Sequence, residues 1–311
     1  MSRPTRVLVT GAAGQVGLDL VAVLGAELPP GGDSSFQPDR RRVEAGEFDV
    51  VACTRRDLDV TDREAVLHVV GATRPDVIVH LAAYTAVDRA ELDSPACYAI
   101  NADGTGYLSA AAASRGAHLV AVSTDYVFDG EKGSAYREDD ATNPLNVYGA
   151  SKLAGELLCT DEDTVVRTSW VMGVRGKNVL HTIAERAASG QNVRFVDDQI
   201  GTVTLAADLA RALVTLVRSR PGGRWHVANS GTTTWFNVAH FAGDVLGRGD
   251  DFATAIPSDQ LSPAPLARRP RRSDLSTQRW QGAQWDALPE WTDGVRRLLS
   301  DRSSLGEPEP Q

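Results

Sequence analysis

Tyr148 and Lys152 stand four positions apart in the stretch NVYGASKLAGE, residues 146–156. On a helix such positions are neighbours about 5–6 Å apart, so a phenol there lies beside an ammonium able to make it a stronger acid. The same spacing serves an ordinary surface pair, so the rest of the chain must decide. Directly after the apolar run RVLVT (6–10) comes TGAAGQVG, with Gly11, Gly14 and Gly17 in GxxGxxG spacing. A glycine-rich turn between strand and helix lets free N–H groups and the positive helix end meet a pyrophosphate. Without a ligand it is only a tight turn. Thr124 closes another apolar run, AHLVAVST (117–124), and Asp125 follows it. Ligands bind at strand carboxyl ends in open parallel sheets, which aims Ser123, Thr124 and Asp125 at a cleft.

These residues need a frame, and the first half of the chain supplies one. Short β-branched runs alternate with helical spacing: strands over 6–10, 48–53, 75–83, 117–124 and 164–170, and helices over 17–28, 63–73 and 94–116. The strands are nearly continuous in apolar residues, as parallel strands covered on both faces are. The rhythm predicts an α/β fold: a Rossmann-type doubly wound parallel sheet with right-handed crossovers. Beyond residue 170 the rhythm loosens. The expected organisation is a dinucleotide-binding Rossmann domain over 1–170 and a smaller C-terminal substrate-binding lobe over 171–300, interleaved with the last sheet strands. Residues 29–42 (PPGGDSSFQPDRRR) and the tail 301–311 read as unstructured or mobile.

Composition narrows the function classes. The 311 residues carry 32 − 41 = −9 net charge, which argues against a general nucleic-acid binder. A local exception is LARRPRR (266–272), either a solvated loop or an anion-contacting one. No apolar run is long enough to span a membrane and the start lacks a signal-peptide pattern. Three scattered cysteines suit a reducing compartment, so a cytoplasmic protein is expected.

In folds that prefer NAD, an acidic residue ends the second strand and holds the ribose 2′-hydroxyl. Here Thr54, Arg55 and Arg56 take that place, and two arginines suit a 2′-phosphate. NADPH is therefore the expected cofactor and NADH the alternative. Asp59, beside Val60, either closes the adenine end or N-caps the next helix.

A Ser/Thr hydroxyl at a strand end followed by YxxxK resembles the short-chain dehydrogenase/reductase superfamily. GxxGxxG, HLAA and YxxxK together resemble its extended branch, which acts largely on nucleotide sugars. The ordered set STDYVFDG, NVYGASKLAGE, VVRTSWV, VDDQIGT, GTTTW and RPRRSDL is similar to the dTDP-4-dehydrorhamnose reductase family across nearly the whole chain. That resemblance implies a C4-keto reductase of a dTDP-6-deoxy sugar. It makes Tyr148 the proton donor, Lys152 the group that lowers its pKa and holds the nicotinamide ribose, and Thr124 the partner of the sugar carbonyl. Gly14, Gln15 and Val16 would follow the pyrophosphate, with Ala83, Tyr84 and Thr85 near the adjoining ribose and nicotinamide. Asp125, Trp170 and Arg269 would face the sugar nucleotide.

Some positions depart from the family pattern. His80 stands where Asn is frequent, and a packing role is expected of it. Val203 replaces a usual proline, leaving that substrate loop open. A metal-bridged dimer is not expected: Asp19 is the one counterpart of its acidic ligands, and Ala207 replaces another. The expected state is therefore a monomer or weak homodimer with no bound metal. Related 4,6-dehydratases pair an Asp with a Glu after the threonine; here Tyr126 follows Asp125, which favours simple reduction. An epimerase and a non-catalytic cofactor-binding regulatory subunit are the alternatives, the latter opposed by the intact Thr124, Tyr148 and Lys152.

Overall fold

A computed structural model describes residues 3–176 and 178–300; the tail 301–311, expected to be flexible, lies outside the described residues. The alternating half runs β1 (Thr5–Thr10), α1 (Gln15–Leu24), β2 (Phe48–Cys53), α2 (Arg63–Thr73), β3 (Val77–His80), α3 (Val87–Ala90), α4 (Ser94–Tyr98), α5 (Gly104–Arg115), β4 (His118–Thr124), α6 (Val147–Leu157) and β5 (Thr164–Thr168). The rest comprises β6 (Val171–Met172), α7 (Val179–Ala188), β7 (Val193–Val196), β8 (Ile200–Gly201), β9 (Thr204–Leu205), α8 (Ala206–Ser219), β10 (Gly223–His226), β11 (Thr233–Thr234), α9 (Trp235–Val245), β12 (Ala253–Ile256), α10 (Gln278–Gly282) and α11 (Trp291–Ser300).

The main sheet has the order β10-β5-β4-β3-β1-β2, with every pair parallel. Side chains alternate across it. Val7 and Val9 of β1 and Val77 and Val79 of β3 pack with α1 and α8 on one face. Leu8, Ile78 and Leu119 pack with α2 and α5 on the other. Both faces are thus covered, which explains the near-continuous apolar runs. The chain leaves β1 for β2 on one side and reaches β3 on the other, so a crevice opens at the carboxyl ends of β1 and β3. Thr10 pairs with both Cys53 and His80, and Thr124 pairs with Thr168. The candidate residues therefore share one rim. A separate core of α7, α9, α11 and the short strands stands beside that rim, while β10 returns late chain to the sheet edge.

Two expectations change. The single helix over 94–116 is α4 and α5 joined by a π-helical turn, Ala99–Asp103; apolar periodicity reads through such a turn, and π-turns recur at functional sites. Residues 29–42 lack regular elements but are anchored. Phe36 is buried, Asp39 receives Arg218, and Arg40 pairs with Asp286. Charge and glycine content read as solvation; Asp39 and Arg40 instead find oppositely charged partners far along the chain.

Candidate active site

The turn after β1 is shaped by backbone contact. Gly11 has φ +67°, and a Cβ there would sit 2.5 Å from the Ala82 nitrogen. Gly14 N-caps α1 without any side chain, leaving the first N–H groups of the helix directed outward. That cradle fits a pyrophosphate. Gly11, Gly14, Gln15, Val16 and Gly17 line a cavity of about 510 Å³ that also reaches Thr124, Asp125, Tyr148, Lys152 and Trp170. An adjoining cavity of about 280 Å³ shares Gly11, Gly14 and Ala83 and extends to Thr54, Arg55, Asp59 and Val60. The two together offer an elongated site for a dinucleotide and a second ligand.

The Gln15 side chain crosses from α1 to the following lobe: its Oε1 accepts from Gly173 N and Asn178 Nδ2, each at 3.0 Å. In the adjoining cavity, Arg55 lines the wall while Arg56, also exposed, lies outside both cavities. Thr54 holds Asp57 through its hydroxyl and N–H. Asp59 accepts from Thr61, and it is Asp62 that N-caps α2. The helix-cap alternative for Asp59 is thereby replaced, because its carboxylate is spent on a local turn.

Ala83 and Thr85 line the main cavity, but Tyr84 between them does not. Its backbone is clamped: Tyr84 N–H donates to Asn101 Oδ1 at 2.9 Å and Asn101 Nδ2 donates back to Tyr84 O. Asn101 sits in the π-helical turn and also donates to Ser151 Oγ at 2.9 Å. Ser151 Oγ in turn donates to Tyr148 O. One buried amide thus ties the loop after β3 to the helix bearing Tyr148. Sequence reasoning missed it; its only signal was an Asn inside an otherwise apolar helical run.

α6 is positioned from its first residue. Asn146 Oδ1 caps Gly149 N at 2.8 Å, and Asn146 Nδ2 donates to Arg268 O at 2.7 Å. The helix start packs so closely on the turn after β4 that a Cβ at Gly149 would lie 2.1 Å from Tyr126 O. Tyr148 is half-buried and meets the Tyr126 ring edge-on at 6.0 Å. Lys152 is buried one turn on. Burial pushes the Tyr148 phenol up to about 12; the Thr124 hydroxyl opposes that rise and Asp125 adds to it. Burial pulls Lys152 down to about 8, against the pull of Glu156. Desolvation of the buried phenol outweighs the lowering expected from Lys152, and Tyr148 stands above its ordinary value.

Glu156 is the anchor beneath the pair. Arg167 of β5 holds it through Nη2 at 2.7 Å and Nε at 3.0 Å, and Ser123 Oγ donates to it at 2.5 Å. Thr124 Oγ1 lies 3.1 Å from Asp125 Oδ1, and Ser273 Oγ donates to Asp125 Oδ2 at 2.5 Å. Asp125 is 2% exposed, and burial pushes its carboxyl up to about 7. Ser273 and Thr168, which lines the same cavity, were not anticipated; Thr168 ends β5, so its strand-end position was the available signal.

Trp170 follows β5 with φ +43°, a left-handed conformation that is costly for a bulky residue. It is held by stacking on Trp235, with ring centroids 4.0 Å apart, and one side faces the cavity. Arg269 lies outside both cavities. It pairs with Asp88 through two 2.6 Å bonds and borders Tyr126. The arginine-rich loop therefore braces the site wall through this residue. His80 packs: its Nδ1 meets Thr10 Oγ1 at 2.7 Å and burial pushes it down to about 3. Val203 is buried in the lobe core. Asp19 is buried near Arg175 and Asp208, and Asp208 is already held by Arg297.

Residues 40–304 match the family model described as RmlD substrate binding domain. A dTDP-4-keto-6-deoxy-D-glucose reductase from Streptomyces niveus is 38% identical, covering 94% of this chain and 96% of that protein. A dTDP-4-dehydrorhamnose reductase from Streptomyces griseus is also 38% identical, over 92% of this chain and 90% of its own. Among solved structures, the dTDP-4-dehydrorhamnose reductase of Bacillus anthracis in complex with NADP superposes with a TM-score of 0.83 at 31% identity, over 96% and 99% of the two chains.

Proposed function

The chain belongs to the RmlD substrate-binding-domain family of dTDP-4-dehydrorhamnose reductases, and from that premise we propose that it reduces the C4 keto group of dTDP-4-dehydro-L-rhamnose to give dTDP-L-rhamnose with NADPH. The observation that carries this is one cavity holding a phosphate cradle at one end and Thr124, Tyr148 and Lys152 at the other. Bound there, the reduced nicotinamide supplies the hydride. The protein's own residues do the rest. Thr124 meets the keto oxygen and stabilises charge as it grows there. Tyr148 holds its proton at neutral pH and passes it to the alkoxide, which is more basic than a phenolate even with the phenol at about 12. Lys152 as an ammonium compensates the phenolate that remains. Trp170, fixed by Trp235, supplies an apolar wall for the sugar nucleotide. Arg55, on the wall of the second cavity, would meet a 2′-phosphate, with Arg56 next to it on the exposed loop. Asp59, Val60 and Thr54 enclose the adenosine.

Among the described residues no helix is long and apolar enough to cross a membrane. The proposed setting is cytoplasmic, as a monomer or weak homodimer. A second reading has its own support: the Streptomyces niveus relative is named a reductase of dTDP-4-keto-6-deoxy-D-glucose, at the same identity as the dTDP-4-dehydrorhamnose reductase from Streptomyces griseus. Purified protein, NADPH and each dTDP-4-keto-6-deoxy sugar separately, followed by loss of the reduced-cofactor absorbance, separate the readings. A higher kcat/KM on the L-sugar supports the first; preference for the D-gluco sugar supports the second; no oxidation with either removes both.

A further inference from the structure

The Thr124 hydroxyl has one hydrogen to give and two lone pairs to receive with. One lone pair takes the Tyr126 N–H at 3.2 Å. Besides the Tyr148 phenol, which the hydroxyl also reaches, its next neighbour is Asp125 Oδ1, to which it donates at 3.1 Å. If Asp125 is a carboxylate, it can only accept, and the single Thr124 hydrogen goes to it. Nothing then remains for a keto oxygen in the cavity. If Asp125 is a neutral acid, its O–H fills the second lone pair of Thr124, and the Thr124 hydrogen is released toward the substrate.

We propose that Asp125 is a positioning residue that works as a neutral acid, donating to Thr124 Oγ1 so that Thr124 can donate to the keto oxygen. The inference rests on the reductase reading and adds to it the protonation state that the strand end must hold. Asp125 is 2% exposed, which disfavours its charged form, while the Ser273 hydroxyl donating to its other oxygen at 2.5 Å fixes the carboxyl plane and by itself favours the carboxylate. Its charged form lies beside the position where the alkoxide develops, and like charge there opposes hydride arrival. The titratable groups around it are Tyr126 on its own turn and Tyr148 on α6, both neutral, while the nearby Arg272 is spent on Asp274. Among the described residues no cation enters the forces on its ionisation, and burial holds the carboxyl up to about 7. No bond to carbon is made or broken by Asp125, and its proton is kept throughout; the proton consumed in the reaction comes from Tyr148.

The test is the pH profile of kcat/KM for wild type, Asp125→Asn and Asp125→Ala, with an infrared difference spectrum of the carboxyl region. Wild type should lose about ten-fold per pH unit once Asp125 ionises. In Asp125→Asn the amide nitrogen donates to Thr124 and its oxygen accepts from Ser273, so no ionisation intervenes. Its activity should drop by less than about ten-fold at acidic pH, and the alkaline fall should move up to the limit set by Lys152. Asp125→Ala should lose roughly 10²-fold in kcat at every pH, the order expected when a carbonyl-directed donor loses its support. The infrared band of a neutral carboxyl should be present in wild type at acidic pH and absent in Asp125→Asn. An Asp125→Asn profile superimposable on wild type, or an Asp125→Ala enzyme with unchanged kcat, overturns the proposal. An active wild type lacking that band overturns the proposal alone, whereas inactivity on every dTDP-4-keto-6-deoxy sugar removes the reductase reading together with it.

Discussion

Glu156→Gln separates two jobs that one buried carboxylate performs. Its side chain and that of Arg167 are 1% and 2% exposed, joined by N–H···O contacts of 2.7, 3.0 and 3.2 Å, with Ser123 adding a fourth at 2.5 Å. Removing one partner of such a pair leaves an uncompensated buried charge and costs about 3–5 kcal/mol. Glutamine keeps the shape and some hydrogen bonds, so the lower end applies, about 3 kcal/mol. For a chain of this size, that corresponds to a Tm lowered by roughly 4–5 °C. The second effect is catalytic. Glu156 raises the pKa of Lys152 against burial, so without its charge Lys152 loses its proton at a lower pH. An ammonium required for turnover is present below its pKa and lost as pH rises through it. Read in an Asp125→Asn background, where Lys152 sets the alkaline limit, the fall of kcat should therefore move downward from about pH 8. Calorimetry reads the first effect, and NADPH oxidation across pH reads the second. The double replacement Glu156→Leu with Arg167→Leu should recover part of the stability, since the unpaired Arg167 is gone and only Lys152 loses its compensating carboxylate, yet keep the displaced fall. A single variant that melts within about 1 °C of wild type, with an unmoved alkaline limb, would refute both arguments.

Three further outcomes follow from the site. Tyr148→Phe should lower kcat by at least about 10²-fold while changing the NADPH dissociation constant by less than about three-fold; isothermal titration and single-turnover kinetics check it, and a large loss of cofactor affinity contradicts the proton-donor role. Arg55→Ala should reduce kcat/KM for NADPH by about 1–3 kcal/mol while leaving NADH nearly unaffected, with Arg56→Ala the smaller of the two effects; steady-state kinetics with both cofactors decides. Gln15→Ala removes the acceptor shared by Gly173 and Asn178, leaving two donors unmet at about 1–3 kcal/mol, so KM for NADPH should rise and the Tm should fall together.

Much of this arrangement was legible in the sequence, for reasons visible in particular residues. The centres of strands β1, β3 and β4 are apolar on both faces because helices cover both, and that burial writes itself as unbroken Val, Leu, Ile and Ala runs. Gly11, Tyr148 and Lys152 carry spacing that the backbone demands. What stayed hidden depends on contacts between distant segments. Arg269 reads as a free cation until Asp88, far upstream, is brought against it. Trp235 gives no sign of stacking on Trp170 across the lobe. Asn101 lies in a π-helical turn that shares the apolar period of the helices around it. The raised phenol of Tyr148 could not be read from spacing, which places Lys152 nearby but says nothing of desolvation.

The most direct test of the central claim follows the hydrogen itself. NADPH carrying deuterium at the transferring position of the nicotinamide is incubated with dTDP-4-dehydro-L-rhamnose and the enzyme, and the sugar product is examined by proton NMR. Reduction at C4 predicts dTDP-L-rhamnose with deuterium at C4 and nowhere else, at a rate that Tyr148→Phe abolishes. Deuterium at another carbon, a product epimeric at C4, or full turnover by Tyr148→Phe would contradict it.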